Sequence, residues 1–308
     1  MSTQLRRSLM SGLDGLRHEP SPKRIRAALG DQTVVDTTRA VLLWEPRRVV
    51  SSWAVPIEDV AAELVPAAAA TTVADKEGYA LPDISERPVL DPSIPFAVHT
   101  AEGDVVDVRV GQQVRAGAGL RLADPDLDGY IVLDFGAFDA WWEEDEVNVG
   151  HPREPFHRID VLRSSRQVRL ELDGQVLAES SRPRLLFETL LPIRFYLPRE
   201  DVLAELVPSP TRTTCAYKGY ASYWSPVVGG REVTDLAWTY EKPLREASEV
   251  AGRVAFSTSG WTSSLTAYGG SAPSPPGRSA PTTDHGADAS IAWLRRRRRR
   301  GGSRTSRP

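Results

Sequence analysis

The sequence predicts a mainly β protein built from two tandem small β domains, each with a short helix or two, and three observations carry that prediction. First, residues 23–66 and 166–208 are two versions of one sequence. LLWEP leads to PIEDVAAELVP in the first copy, and LLFET leads to PREDVLAELVP in the second. The same step sets TTVADK (71–76) beneath TTCAYK (213–218), so Val73 stands in the place of Cys215 while Lys76 matches Lys218. Second, a period near 142 residues is too long for a solenoid and means tandem domains, as a length of 308 residues independently favours. Third, both copies open on short alternating runs separated by tight-turn dipeptides.

Residues 1–20 read as a short, poorly ordered lead-in. In the first copy (21–146), KRIRAAL, a turn at Gly30-Asp31 and QTVVDTTRAVLLWE make a hairpin and a third strand. Residues 77–120 are diluted with Gly, Pro and Ala, and turn chemistry is lost there. The pattern returns at DPDLDGYIVLDF, and AFDAWWEEDE forms an acidic aromatic exit. HPREPFHRID lies in a linker (147–160). The second copy (161–256) is cleaner. RQVRLEL, Asp173-Gly174 and QVLAES give period-two alternation around a strong hairpin turn. RLLFET reads as a buried strand and IRFYLP as another that stops at Pro198. Pro198-Arg-Glu-Asp opens VLAELV as a short helix, with acidic residues at the positive end of its dipole. A loop (SPTRTT), the Cys215 turn, the strand ASYWSPVV, the Gly229-Gly230 turn, EVTDLAWTY, a helix-like EKPLREASEVAG and a final strand RVAF complete it.

Composition is that of an ordinary globular protein, and no stretch approaches the roughly 18 uninterrupted apolar residues of a membrane helix. The first residues lack the apolar core of a secretory signal. A single cysteine excludes an intrachain disulfide framework and a thiolate zinc cluster. A reducing, cytoplasmic setting is the expectation. The net charge of −3 is unevenly spread: residues 257–308 hold nine Arg against Asp284 and Asp288, about +7, which leaves about −10 on the rest. An acidic body argues against nucleic acid as the main partner. The run Arg295–Arg300 would bind nucleic acid only nonspecifically.

Residues 257–308 are Ser, Thr, Gly, Pro and Arg in low-complexity order, a signature of disorder. They begin where the last strand should continue. One permitted back-translation of 257–269 contains, in a shifted frame, HERVDVVADGV, which alternates and carries an Asp-Gly turn. The tail is therefore read as a frameshift product. The gene's nucleotide sequence is expected to hold that frame open after Phe256, and a closed frame would sink the idea.

The run Cys215-Ala-Tyr-Lys-Gly-Tyr-Ala-Ser-Tyr-Trp-Ser resembles the core of the DUF427 family, as do LLFET, FYLPRED, LAWTYEKP and the Ala-Gly before the last strand. The likeness covers about 95 residues of the second copy and only the first half of the first. It implies a small mainly β fold resembling the β-tent proteins, the group that includes methionine sulfoxide reductase B. The family's biochemical role is not established, although a nucleotidyltransferase label has been attached to it. No glycine-rich loop or paired-Asp metal motif supports that label here.

Cys215 and Lys218 lie at i and i+3 across a turn that ends in Gly219. A cation folded back toward the sulfur would favour thiolate over thiol and make it a better nucleophile. Glu188, on a buried-type strand, is the carboxylate expected to face the site, balancing Lys218 or handling protons. Tyr217, Tyr223, Trp224 and Tyr196 would supply walls and hydroxyls for a small-molecule ligand. The competing reading makes Cys215 a small buried hydrophobe and the aromatics plain core. Glu45, the copy of Glu188, persists beside the altered Val73 turn, which suggests a structural duty such as accepting backbone N–H groups. Trp238 is expected in the core. His151 and His157 flank the linker prolines as a solvated hinge and not as a metal pair, and no metal site or cofactor is indicated.

Overall fold

The computed structural model describes residues 2–67, 89–90, 92 and 94–257. The chain divides after Pro155 into two compact units. In the first, a one-and-a-half-turn helix α1 (Leu5–Met10) precedes β1 (Arg17–Pro20), β2 (Ile25–Leu29), β3 (Gln32–Thr37), β4 (Val41–Trp44), β5 (Ser52–Pro56), β6 (Glu63–Pro66), β7 (Gly103–Val110), β8 (Gln113–Leu122), β9 (Tyr130–Leu133), β10 (Ala140–Glu143) and β11 (Glu146–Asn148). The second holds β12 (Ile159–Arg163), β13 (Val168–Leu172), β14 (Gln175–Ser180), β15 (Arg184–Glu188), β16 (Arg194–Leu197), β17 (Leu206–Cys215), β18 (Gly219–Val228), β19 (Arg231–Glu232), β20 (Ala237–Thr239) and β21 (Val254–Phe256). The protein is mainly β. Among the described residues no helix is long and apolar enough to cross a membrane.

Each unit packs a hairpin onto a larger antiparallel sheet. The sheets run β1-β4-β5-β9-β8-β7-β6 and β12-β15-β16-β21-β20-β18-β17, with β19 paired to β18. Strand for strand, the two orders match. The hairpins β2–β3 and β13–β14 are bulged at the same step, between Ala27 and Ala28 and between Leu170 and Glu171. The turn at Asp173-Gly174 has φ of 51° and 78° at its two central residues, the left-handed pair that suits the twist of a two-residue hairpin.

After β5 and β16, Pro56 and Pro198 lead into single 3-10 turns, Ile57–Asp59 and Arg199–Asp201. Asp59 accepts from Thr37 Oγ1 at 2.6 Å, and Asp201 from Ser180 Oγ at 2.6 Å. These hydrogen bonds hold each carboxyl below its usual range and tie the turn to the hairpin. Asp201→Ala is expected to cost about 1.5 kcal/mol, the low end for a hydrogen bond to a charged group, read as a lower urea midpoint for the second unit.

In β-strands successive side chains point to opposite faces, and the second unit's sheet has a core on each. Leu197, Ala237, Val254, Phe256 and Trp224 face the hairpin residues Val168, Leu170, Leu177 and Ala178. Their neighbours Tyr196, Trp238, Ala255 and Tyr223 face the other way, with Leu186, Ala221 and Tyr240, beneath Ala247 and Val250 of a kinked 3-10 segment, Arg245–Val250. Trp238 is core, as expected.

Several expectations are corrected. The lead-in is structured: β1 pairs with β4, and Met10 and Leu13 are buried. VLAELV is not a helix, because the N–H groups of Leu203 and Ala204 both donate to the Leu177 carbonyl and Leu206 already belongs to β17. SPTRTT is no loop either; it lies within β17, interrupted by a bulge between Pro208 and Arg212. EVTDLAWTY splits into β19 and β20. The dilute stretch of the first copy contains the long hairpin β7–β8. Gly119 sits there because a Cβ would come within 2.8 Å of Ile131 and 2.9 Å of Val106. AFDAWWEEDE is not an exit but the hairpin β10–β11, added to β2. Val73, Lys76 and the tail from residue 258 lie outside the described residues.

Candidate functional site

The site forms where the second unit's aromatic face meets the end of β17. Cys215 pairs with Gly219 across the turn Ala216-Tyr217-Lys218, and Gly219 has φ of +89°. That left-handed φ is what calls for glycine in the turn; a Cβ there would meet Leu244 only at 3.4 Å, an ordinary contact distance. Pairing and alternation set Thr213 and Cys215, Ala221 and Tyr223, and Leu186 and Glu188 on one face. Cys215 is the one free thiol and is partly exposed.

Lys218 is buried, and its Nζ donates to both Glu188 oxygens, at 2.6 and 2.5 Å. The Glu188 side chain is 6% exposed. Its third partner is His157, whose Nε2 lies 3.1 Å from Oε1. The His157 ring stacks on Tyr217 at 4.4 Å between centroids. Burial alone would raise the Glu188 carboxyl, but the Lys218 charge and the hydrogen bonds from His157 and Lys218 outweigh it and hold the group at about 2. Burial opposes the Lys218 charge too, yet negative charge at Cys215 and Glu188 raises it above its ordinary value. At neutral pH the pair is ionised, a carboxylate bound by an ammonium, on the sheet face that carries Cys215.

The remaining candidates divide. Tyr217 is buried beside His157. Tyr196 is buried and accepts from Trp238 Nε1 at 3.2 Å; burial pushes its phenol up to about 12, so it stays a neutral hydroxyl. Tyr223 is buried and bonded to the Thr213 hydroxyl at 3.1 Å. Trp224 does not join them. It follows Tyr223 in the strand and so faces the hairpin core, under the Arg199 guanidinium at 4.5 Å.

His157, expected from the sequence as a solvated hinge residue, is instead part of the cluster, with a side chain 21% exposed. Its placement follows from the register of β12 on β15, where Ile159 pairs with Glu188. His151 is buried, with Nδ1 2.8 Å from the Pro152 carbonyl. Among the described residues no group of three or more His, Cys, Asp and Glu could hold a metal.

The first unit has a counterpart built differently. Glu45, at the step of Glu188, takes the N–H groups of Thr100 and Ala101 at 2.5 and 2.9 Å, the backbone duty its persistence suggests. His99 lies 2.8 Å from its other oxygen. Burial resists ionisation of Glu45, but the His99 contact and these backbone donors hold its carboxyl below the usual range. The surrounding face is aliphatic: Val41, Leu43, Ala54, Leu120 and Val132.

What the second unit defines is a small antiparallel β domain with a buried carboxylate–ammonium–imidazole cluster on the face that carries its only thiol. Comparison with known families agrees with the motif. Residues 160–265 match the family described as "Domain of unknown function (DUF427)", and the chain carries a DUF427 domain there. No curated protein matches the sequence.

Proposed function

We propose that the second unit is a small-molecule-binding or enzymatic domain whose reactive centre is Cys215, with Lys218, Glu188 and His157 as the charged support. One observation carries the reading: a fully engaged ion pair lies buried on the face of a partly exposed thiol. Burying an ion pair is seldom the most stable choice, since well-packed apolar groups serve as well or better, and perturbed titratable groups gather at functional sites. In this reading Cys215 is the nucleophile or redox centre. Lys218 supplies positive charge to a thiolate or to an anionic group on the ligand. Glu188 holds Lys218 in place and connects it to His157, the most exposed proton carrier of the cluster. Tyr217 and Tyr196 line the approach. Trp224, on the opposite face, has no part in it.

In the same reading the first unit is a degenerate copy that keeps the carboxylate at Glu45 but not the thiol, and serves as scaffold. The competing class is a non-catalytic interaction module, in which the cluster is a latch between β12, β15 and the Cys215 turn. A nucleotidyltransferase-like activity finds less support, because Glu188, the carboxylate of the cluster, is occupied by Lys218 and His157.

Iodoacetamide labelling separates the classes. Cys215 in the native protein is expected to label at least as fast as in urea, and more slowly in Lys218→Met, since the thiolate is the reacting species. Native labelling about 100-fold slower than in the unfolded chain would mean an inert, shielded sulfur and favour the interaction module.

A further inference from the structure

The two units carry different side chains at the same steps of the same sheet. In the second, one row runs straight across four strands: Tyr223 pairs with Trp238, Trp238 with Ala255, and Ala255 with Tyr196. The matching row of the first unit is Val105, Leu120, Val132 and Ala54. Two residues beyond Trp238, and on the same face, stands Tyr240, at the step of Leu122. The first unit therefore fills these steps with aliphatic side chains, whereas the second sets three phenols there. The fold itself asks for no hydroxyl at these positions. They occur in the unit, and on the face, that carries Cys215.

Two of the three hydroxyls are satisfied within the fold, Tyr196 by Trp238 Nε1 at 3.2 Å and Tyr223 by the Thr213 hydroxyl at 3.1 Å. Tyr240 is 5% exposed, and among the described residues its hydroxyl has no hydrogen-bond partner. Tyr240 follows β20 directly, and its carbonyl accepts the Gly252 N–H at 3.1 Å. The described residues end at the opposite end of that strand, where the Ser257 N–H donates to the Leu236 carbonyl at 2.9 Å. A buried hydroxyl left unpaired costs free energy that a phenylalanine would avoid, so this one calls for an acceptor from outside the fold. Burial, and then the ionisable neighbours Tyr196, Cys215, Tyr223 and Glu188, hold its phenol well above the ordinary value. At neutral pH the group is an O–H donor within electrostatic reach of the Cys215 sulfur. Its acidic neighbours disfavour a further anion beside it, which leaves a neutral oxygen as the fitting acceptor.

We infer that Tyr240 is a ligand-binding residue of the Cys215 site, its hydroxyl donating to the carbonyl oxygen of a substrate whose neighbouring carbon faces the sulfur. With Cys215 as the reactive centre proposed above, on which this assignment rests, the substrate class becomes a neutral carbonyl compound. Cys215 is partly exposed, so a molecule that reaches the thiol brings its oxygen to the unpaired phenol. The rings of Tyr223 and Trp238 flank that place and suit a planar carbonyl group.

The test compares two reagents on the full chain and on Tyr240→Phe. Iodoacetamide carries a carbonyl next to its reacting carbon and methyl iodide carries none; in both, the sulfur forms a bond to that carbon and iodide leaves. Tyr240→Phe is expected to slow iodoacetamide about fivefold, the worth of one ordinary hydrogen bond, and to leave the methyl iodide rate unchanged. Its urea midpoint is expected to stay level or rise, because the lost hydroxyl had no partner in the fold. Equal slowing with both reagents would place the effect in the acidity or shielding of the thiol and overturn the inference. So would unchanged rates with both, or a lower urea midpoint, which would give the hydroxyl a structural duty. A sulfur closed to both reagents in the native chain would overturn the reactive-centre reading along with it, whereas a fast native thiol with an unchanged ratio in Tyr240→Phe would overturn the role of Tyr240 alone.

Discussion

Lys218→Met is expected to destabilise the second unit by about 3–5 kcal/mol, the range for removing one partner of a buried ion pair. The loss arises because Glu188, with a side chain 6% exposed, would keep a buried charge with only His157 beside it. A urea titration of the purified chain, following the second unit's transition, measures it. Lys218→Met with Glu188→Leu is expected to recover a large part of that loss, since removing both charges removes the desolvation cost as well. A double variant no more stable than Lys218→Met would show that the cost lies in packing at the turn.

The same pair sets a pH dependence. Glu188 is held from an ordinary 4.5 down to about 2 in the folded protein. The unfolded chain therefore binds the proton more readily, so this contribution is complete above about 4.5 and drains away as pH falls through about 2. Lys218 is shifted upward, so its contribution is present below its ordinary value and is lost only as pH rises through the higher folded value. Melting temperature is expected to fall between pH 4.5 and 2 in the native chain, and to fall less steeply over that window in Lys218→Met, where the main stabilising charge on Glu188 is gone.

In the first unit, Trp141→Ala is expected to cost about 3–5 kcal/mol, the usual price of deleting a fully buried indole. The variant loses the contacts with Phe135 and Phe138 and leaves the Phe135 carbonyl without the indole N–H that it accepts at 3.0 Å. Trp142→Ala, one residue on and on the other face, is expected to cost less than about 1.5 kcal/mol, because it is only partly buried and packs under the Arg26 guanidinium at 5.7 Å. Equal losses for the two would contradict the strand's burial pattern.

Much of the second unit was legible from local chemistry. Asp173-Gly174 between alternating runs is a hairpin in the structure, and RLLFET, FYLP, ASYWSPVV and RVAF are strands. The Cys215–Lys218 turn and the partnership of Lys218 with Glu188 were also read from the sequence. VLAELV failed because an acidic first turn and a helix-like apolar spacing are weak signals, and backbone pairing with Leu177 and β18 outweighed them. The β7–β8 hairpin failed for the opposite reason. Its glycines read as loop, yet at Gly119 the absence of a side chain is what lets Ile131 and Val106 close over the strand.

Trp224 and His157 mark where reading along the chain stopped. Strand alternation alone sets Trp224 and Tyr223 on opposite faces of the sheet. His157 is different. Nothing within its neighbourhood in the chain points to Glu188, 31 residues away; the contact exists because β12 pairs with β15 in one register. Residue types, turns and the repeat are properties of short segments, and they are sufficient to name several strands of the second unit and the thiol–lysine turn. The partner of each buried charge and the face a side chain occupies depend on pairing between distant segments, which takes shape only when the sheets assemble.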